Sequence, residues 1–457
     1  MNLNRVLWYF LIFMAGYFLW MSFFGPRRQN STPKEVQKTV LHIPSPDSTV
    51  AVELQDYSLR ISPAGGYISH IEIKKYGATI VDGHPLLYFP SRGERLYTIE
   101  AKESRIDLSD STDSFSYIFG QNYTISIENS DTIVKLYNLL HGGNRNEEAR
   151  LSGLIYYDGK KVHSISDKKL KNGFSITNPV WFGYRSQFFS FIILSSAQEV
   201  KARADDGGNV EITARLKQKD YRTYLGPIDP DIMKRVDPSL YNVFNWGNFL
   251  IAPFTKFIFY TFRFLHNFMP NLGWVIILFA LLMKLVFSPL TYTSYKSMAK
   301  MREIQPKLKQ IQQVYKDDPQ KMQEEMMKLY KEHGVNPFGG CLPLLIQLPI
   351  FWGLYNVLKD SIDFWNAPFM LWIQDLSAKD PYYILPIIMG LVTLANTFMQ
   401  PTADRNARMI GIIMAAVFVF IFMNFPSGLV LYWLAYSTFS VVEQYIFRRI
   451  MSASKQG

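Results

Sequence analysis

The sequence predicts a polytopic α-helical membrane protein of six spans, five of them forming one helical core, with a single large β-sandwich domain outside the cytoplasm. Three observations carry this. First, composition splits along the 457 residues: from about residue 45 to 235 the chain is polar and mixed, whereas from Phe244 to Phe447 Leu, Ile, Phe, Met and Trp gather in runs of membrane-spanning length. Second, Val6 to Phe24 form an uncharged, aromatic-rich run of 19 residues, which at 1.5 Å per residue covers roughly 28 Å, close to a bilayer core. Third, alternating segments such as YSLRI at Tyr57, YTISIEN at Tyr123 and NVEITARL at Asn209 are separated by turn pairs at Gly65-Gly66, Asp158-Gly159, Asn172-Gly173 and Gly207-Gly208.

Residues 1–24 are expected to be an uncleaved N-terminal transmembrane anchor. The run is long for the apolar part of a signal peptide, and the GPRRQN that follows it lacks an A-x-A-like site. Arg5 on one side and Arg27 and Arg28 on the other leave its orientation open. Residues 25–50, rich in Pro, Ser, Thr and Lys, read as a linker. Residues 51–240 form the β-sandwich domain, which holds no carboxylate pair, His/Cys cluster or phosphate loop, so binding or spacing is expected of it rather than catalysis, with no metal and no cofactor. Residues 241–270 are apolar but interrupted by Pro253, Lys256, Arg263 and His266. Lys256 and Arg263 stand seven residues apart, on one helical face, which predicts an amphipathic helix lying in the membrane interface, with a distorted spanning helix as the alternative.

The core, 271–447, contains spans at about 272–292, 342–358, 382–399, 410–425 and 429–447. The loop between the first two carries nine Lys or Arg residues, the short loop after the third of them carries Arg405 and Arg408, and the basic tail, 448–457, carries Arg448, Arg449 and Lys455. Basic loops stay in the cytoplasm. Both termini are therefore expected there and the β domain outside. The formal charge of +10 reads as this topology rather than as nucleic-acid binding, and the single Cys341 excludes an intrachain disulfide.

Residues 293–340 read as a cytoplasmic helical hairpin. Ile304, Leu308, Ile311 and Tyr315 repeat at helical spacing; Asp318 is placed to cap and Pro319 to start a second helix, in which Met322, Met326, Leu329 and Tyr330 continue the stripe before Gly334 stops it. Met298, Met301, Met322, Met326 and Met327, with Arg302, offer an adaptable basic docking surface. The plainer alternative is a solvated pair held by its own seam.

Lys284 is the costly residue. It stands roughly 12 Å from the cytoplasmic end of its span, and a lysine facing lipid at such depth costs on the order of 3 kcal/mol. Gln347, Thr393, Asn396, Ser437, Thr438 and Ser440 occur at matching depths. Together they predict a hydrophilic groove open to the cytoplasm with Lys284 as its cation, although for any one of Gln347, Thr393 and Asn396 taken alone hydrogen bonding between helices is the better explanation. Glu443 is expected too near the helix end to pair with Lys284. Pro289, Pro343, Pro349 and Pro386 are expected to leave several helices short or bent.

SMAKMREIQPK, EEMMKLYKEHGVNPFGGCLPLLIQLPIFWGLY, APFMLWIQDLSAKDPYYILPIIMG and FPSGLVLYW resemble the core of the YidC family of membrane-protein insertases, the bacterial branch of the YidC/Oxa/Alb group. YLGPIDPDIM and WFGYRSQFF resemble that family's large periplasmic domain, and the likeness covers essentially the whole chain. It implies an insertase and chaperone of the bacterial inner membrane that breaks no covalent bond. The groove would accept the hydrophilic flank of a nascent membrane protein, and Gln347, Pro349, Tyr432 and Trp433 would border the path of its apolar helix. The Sec translocon, the ribosome or signal recognition particle pathway at the hairpin, and the phospholipid bilayer are the implied partners. Two positions depart from the pattern: the family usually has arginine at Lys284 and often an alcohol at Ala280. A lysine keeps the charge and loses the bidentate fork. From the residues alone, an ion- or solute-coupled transporter is the alternative, since an intramembrane lysine marks such proteins too, though no internal repeat is seen. A glycan- or polypeptide-binding envelope protein would need one anchoring helix rather than six.

Overall fold

The computed structural model describes residues 49–82, 86–92, 95–137, 152–205, 210–335, 342–399 and 405–453. The expected first span, nearly all of the linker, Gly207-Gly208, Cys341 and the end of the tail lie outside the described residues. The chain forms two compact units: one contains the stretch Lys296–Gly340, and the other contains the β-rich region with the remaining helices.

In the larger unit the strands form three antiparallel sheets. Val50–Glu53, Tyr57–Ile61, Ile68–Ile73 and Ala78–Asp82 pair in chain order. Ile133–Tyr137, Val210–Leu216, Ala197–Ala204 and Phe174–Thr177 make a second four-stranded sheet, and a nine-stranded sheet has Trp181–Arg185, Phe189–Leu194 and Tyr221–Pro227 near its middle. Burial explains the sequence pattern. Val210–Leu216 alternates buried and less buried positions, as a strand covered on one face must, whereas Trp181–Arg185 is buried at every position and so lacks the alternation. At Gly66 the chain turns with φ +64°, and a Cβ there would stand 2.6 Å from the Phe115 ring, so the turn needs glycine for both reasons.

Nine α-helices are assigned among the described residues: α1 (Asp167–Leu170), α2 (Pro230–Val236), α3 (Ala252–His266), α4 (Leu272–Val314), α5 (Pro319–Glu332), α6 (Leu342–Asp360), α7 (Ile384–Met399), α8 (Arg405–Phe422) and α9 (Ser427–Ala453). Among the described residues α4 alone is long and apolar enough to cross a bilayer by length and composition, with α7 and 408–422 as shorter apolar helices. Two boundaries differ from expectation. The helix expected to end near Tyr292 continues to Val314 as α4, and Pro289 does not end it. The helix expected to end near Phe447 continues to Ala453 as α9. Hydropathy falls at both expected ends, but a change from apolar to charged residues moves a helix from one solvent to another without breaking its backbone hydrogen bonds.

Helix α3 packs on α6, burying Thr255, Ile258, Phe259, Phe262 and Leu265. Its two basic residues face protein. The Lys256 ammonium lies 5.2 Å and 5.4 Å from the ring centres of Tyr241 and Trp246, while Phe257, Tyr260 and Phe264 are left exposed in an aromatic stripe.

The hairpin unit is held by its own seam. Ile304, Leu308, Leu329 and Val335 are buried together, with Met301, Ile311, Met326 and Tyr330 packed against them. Asp318 accepts the Lys321 amide at 3.1 Å, Pro319 follows it, and Gly334 takes φ +57° at the far end.

Candidate functional site

Lys284 projects from α4 and is buried, 5% exposed. Its Nζ lies 2.6 Å from Glu443 Oε2 on α9 and donates to Ser440 Oγ at 2.9 Å. Below it the Tyr436 ring centre is 4.9 Å away, a cation–π distance. Ser440 in turn donates to the Tyr436 carbonyl, so its oxygen is oriented to accept from the lysine. Tyr436, Ser440 and Glu443 stand four and three residues apart, which puts all three on one face of α9. The expectation that Glu443 lies too near the cytoplasmic end of its helix to pair with Lys284 is thus corrected. With α9 continuing to Ala453, Glu443 stands ten residues, roughly 15 Å, before the end of its helix.

The remaining predicted side chains fall into separate contacts. Gln347 of α6 donates to the Tyr432 hydroxyl of α9 at 2.6 Å, and both residues are buried. Asn396 of α7 donates to the Ser437 carbonyl at 2.9 Å and accepts from Gln444 at 3.3 Å, tying α7 to α9. Thr393 and Thr438 hydrogen-bond to carbonyls of their own helices, those of Met389 and Leu434. Thr438 is exposed, whereas its neighbour Ser437 is buried. Trp433 packs among Phe351, Phe418 and Phe422, and Pro349 lies inside α6. On the hairpin, Met301 and Met326 pack against the seam, Met298 and Met322 are half-buried, and Met327 and Arg302 are exposed. Of the polar groups expected to line one groove, Gln347, Asn396 and Ser440 make contacts between helices, Thr393 and Thr438 bond within their own helices, and the charge is held at Lys284–Glu443.

A second charged cluster joins the β-rich region to the helices. Arg263 of α3 meets Asp229 at 2.5 Å, Asp231 at 2.7 Å and Asp363 at 3.1 Å. Burial of its guanidinium lowers its pKa, but Asp363 and Asp229 outweigh that, and the net direction is upward. Nearby, buried Arg185 donates to the Val243 carbonyl at 2.8 Å. Burial pushes the Arg185 guanidinium down and the buried Asp360 carboxyl up, each partly offset by the other's charge. Gln187 donates to the Lys359 carbonyl at the end of α6 at 2.7 Å, and Phe188 and Phe189 pack on Trp365. None of this was read from the sequence, because Asp229 and Asp363 are more than a hundred residues apart and only the fold brings them to one arginine. Among the described residues no group of three or more His, Cys, Asp or Glu is placed to hold a metal ion.

A family model described as "60Kd inner membrane protein" matches residues 264–455, the stretch that contains α4 to α9. The "Membrane protein insertase YidC" of Geobacter metallireducens is 32% identical over an alignment 498 positions long, gaps included, covering 93% of this chain and 92% of the relative. That of Geobacter sulfurreducens is 39% identical over 291 residues, covering 61% of this chain and 54% of the relative. A solved structure titled "Active YidC insertase crystal structure with the first transmembrane domain resolved" is 24% identical with a TM-score of 0.43, covering 86% of this chain and 91% of that one. Identity of 32% sustained over more than nine-tenths of both chains extends the likeness far beyond any one motif, and the chain belongs to the YidC family of membrane protein insertases.

Proposed function

We propose that this protein inserts membrane proteins into the bacterial inner membrane and helps them fold, without covalent chemistry. The observation that carries the reading is the near full-length match to a relative named as a membrane protein insertase. The physical support is a charged and hydrogen-bonding cluster, Lys284 with Ser440 and Glu443, buried among helices that are otherwise apolar. On this reading the hydrophilic flank of a substrate enters from the cytoplasm and exchanges partners with Lys284, Asn396, Ser437 and Ser440. The substrate's apolar helix meanwhile lies against the side bordered by Gln347, Pro349, Tyr432 and Trp433.

Lipid supplies most of the driving force. A substrate helix of 20 apolar residues gains on the order of 10 kcal/mol on entering the bilayer, whereas one partly solvated ion contact contributes about 1 kcal/mol. The cation therefore steers acidic flanks rather than powering insertion. Six crossings, with both termini cytoplasmic and the β-rich domain periplasmic, are the topology proposed with this function, resting on the basic residues of the hairpin and of the loop holding Arg405 and Arg408. The exposed aromatic stripe of α3 suits a helix lying in the outer interface. The basic hairpin with exposed Met327 and Arg302 is the proposed contact for the ribosome or signal recognition particle pathway, and larger substrates would be shared with the Sec translocon. The coupled-transporter reading gains nothing from the relatives' names.

The test is complementation. In a host depleted of its own insertase, the full chain is expected to restore protease-protected topology to a single-span substrate. Insertion no better than with an empty vector would overturn the reading.

A further inference from the structure

Within the five stretches expected to span the membrane in the core, the sequence contains two ionisable residues of the Asp, Glu, Lys, Arg or His types, Lys284 and Glu443. Their charged atoms stand 2.6 Å apart, and both side chains are about nine-tenths buried. Neither carboxylate oxygen of Glu443 has a well-aligned hydrogen-bond donor among the described residues, so the lysine is the charge that compensates it. Formal charge at this point is therefore zero.

We infer that Glu443 is a built-in stand-in for the acidic segment of a substrate: it occupies Lys284 until an incoming carboxylate displaces it, and so sets how strongly this insertase discriminates by acidic flank. The inference rests on the insertase reading. A substrate carboxylate that reaches Lys284 replaces a contact already made at 2.6 Å and leaves Glu443 buried beside a like charge. The exchange thus gains much less than binding to a free cation. Ser440, whose proton is held by the Tyr436 carbonyl, accepts from the lysine and so steadies the ammonium whichever carboxylate it faces. A neutral amide at position 443 keeps the size and removes the competitor.

The experiment compares two single-span substrates that differ only in their translocated flank, one carrying two Asp and the other two Asn, in the depleted host supplied with the full chain. The readout is the ratio of protease-protected product, acidic over neutral. Glu443→Gln is expected to raise that ratio about five-fold over wild type, Glu443→Asp, which shortens the carboxylate's reach, to raise it by a smaller factor, and Lys284→Ala/Glu443→Gln to bring it to about one. A pair that only holds α4 to α9 would change insertion of both substrates alike. A ratio unchanged in Glu443→Gln, or in Glu443→Asp where the amide variant fails to accumulate, overturns the inference while leaving the insertase reading intact. Failure of the wild-type chain on both substrates would instead overturn the reading beneath it.

Discussion

At Asp167, which begins α1, a half-buried carboxyl accepts from the Tyr184 hydroxyl at 2.8 Å through one oxygen, while the other is buried with no partner among the described residues. Burial pushes its pKa up to about 6 from the ordinary 3.8, with the tyrosine pulling weakly the other way. Because the folded value lies above the unfolded one, the group's favourable contribution is fully present below about pH 4 and is lost as pH rises through about 6. The interval corresponds to roughly 3 kcal/mol. Asp167→Asn is therefore expected to flatten the fall in melting temperature between pH 4.5 and pH 7.5 by about 3 °C, read by thermal unfolding of the full chain in detergent; an unaltered pH profile would contradict the assignment. Lys284, unlike Asp167, was legible in the sequence, since a lysine amid apolar residues is expensive wherever the chain puts it. Its partner was not. Glu443 is separated from it by more than 150 residues, and the helix end assumed for α9 placed the carboxylate too near water.

Among the elements, the packing of α7 on α8 depends on small residues. A Cβ at Gly390 would stand 2.2 Å from Val419 Cγ2, and one at Gly411 would stand 2.4 Å from Thr397 Cγ2. Both neighbours are β-branched and have little rotameric freedom to yield. Gly390→Val is expected to destabilise the helix pair by about 2 kcal/mol and to lower the detergent melting temperature, whereas an equal or higher value would show that the helices separate without cost. Elements whose chemistry is local were the readable ones. Alternation with glycine turns marked the strands, and Asp318-Pro319 and Gly334 marked the ends of α5. Helix ends without a cap signal were read from hydropathy instead, which is why α4 and α9 run past their expected limits. The central strand Trp181–Arg185 escaped a one-sided pattern because both its faces are covered.

For the molecule as a whole, the β-rich region and the helices of the larger unit share one buried cluster, closed by Arg263 with its three aspartates and by Gln187 on the Lys359 carbonyl. Of these charges Asp229 is buried while Arg263, Asp231 and Asp363 are partly exposed, so removing the arginine is costly chiefly because it leaves the Asp229 carboxylate uncompensated. Whole-chain composition already separated a polar half from an apolar half, and the quoted motifs pointed to the family, but nothing in a linear pattern reports which distant charges meet. On the proposed function, a substrate passes with its hydrophilic flank at the Lys284 cluster and its apolar helix at the Trp433 side. Site-specific photocrosslinking tests it most directly, with a probe at position 433 or 440 of the full chain and a ribosome-stalled single-span nascent chain as target. Crosslinks are expected from 433 to the apolar segment and from 440 to the hydrophilic flank; a stalled chain that crosslinks to neither position, or with the two patterns exchanged, would contradict this path.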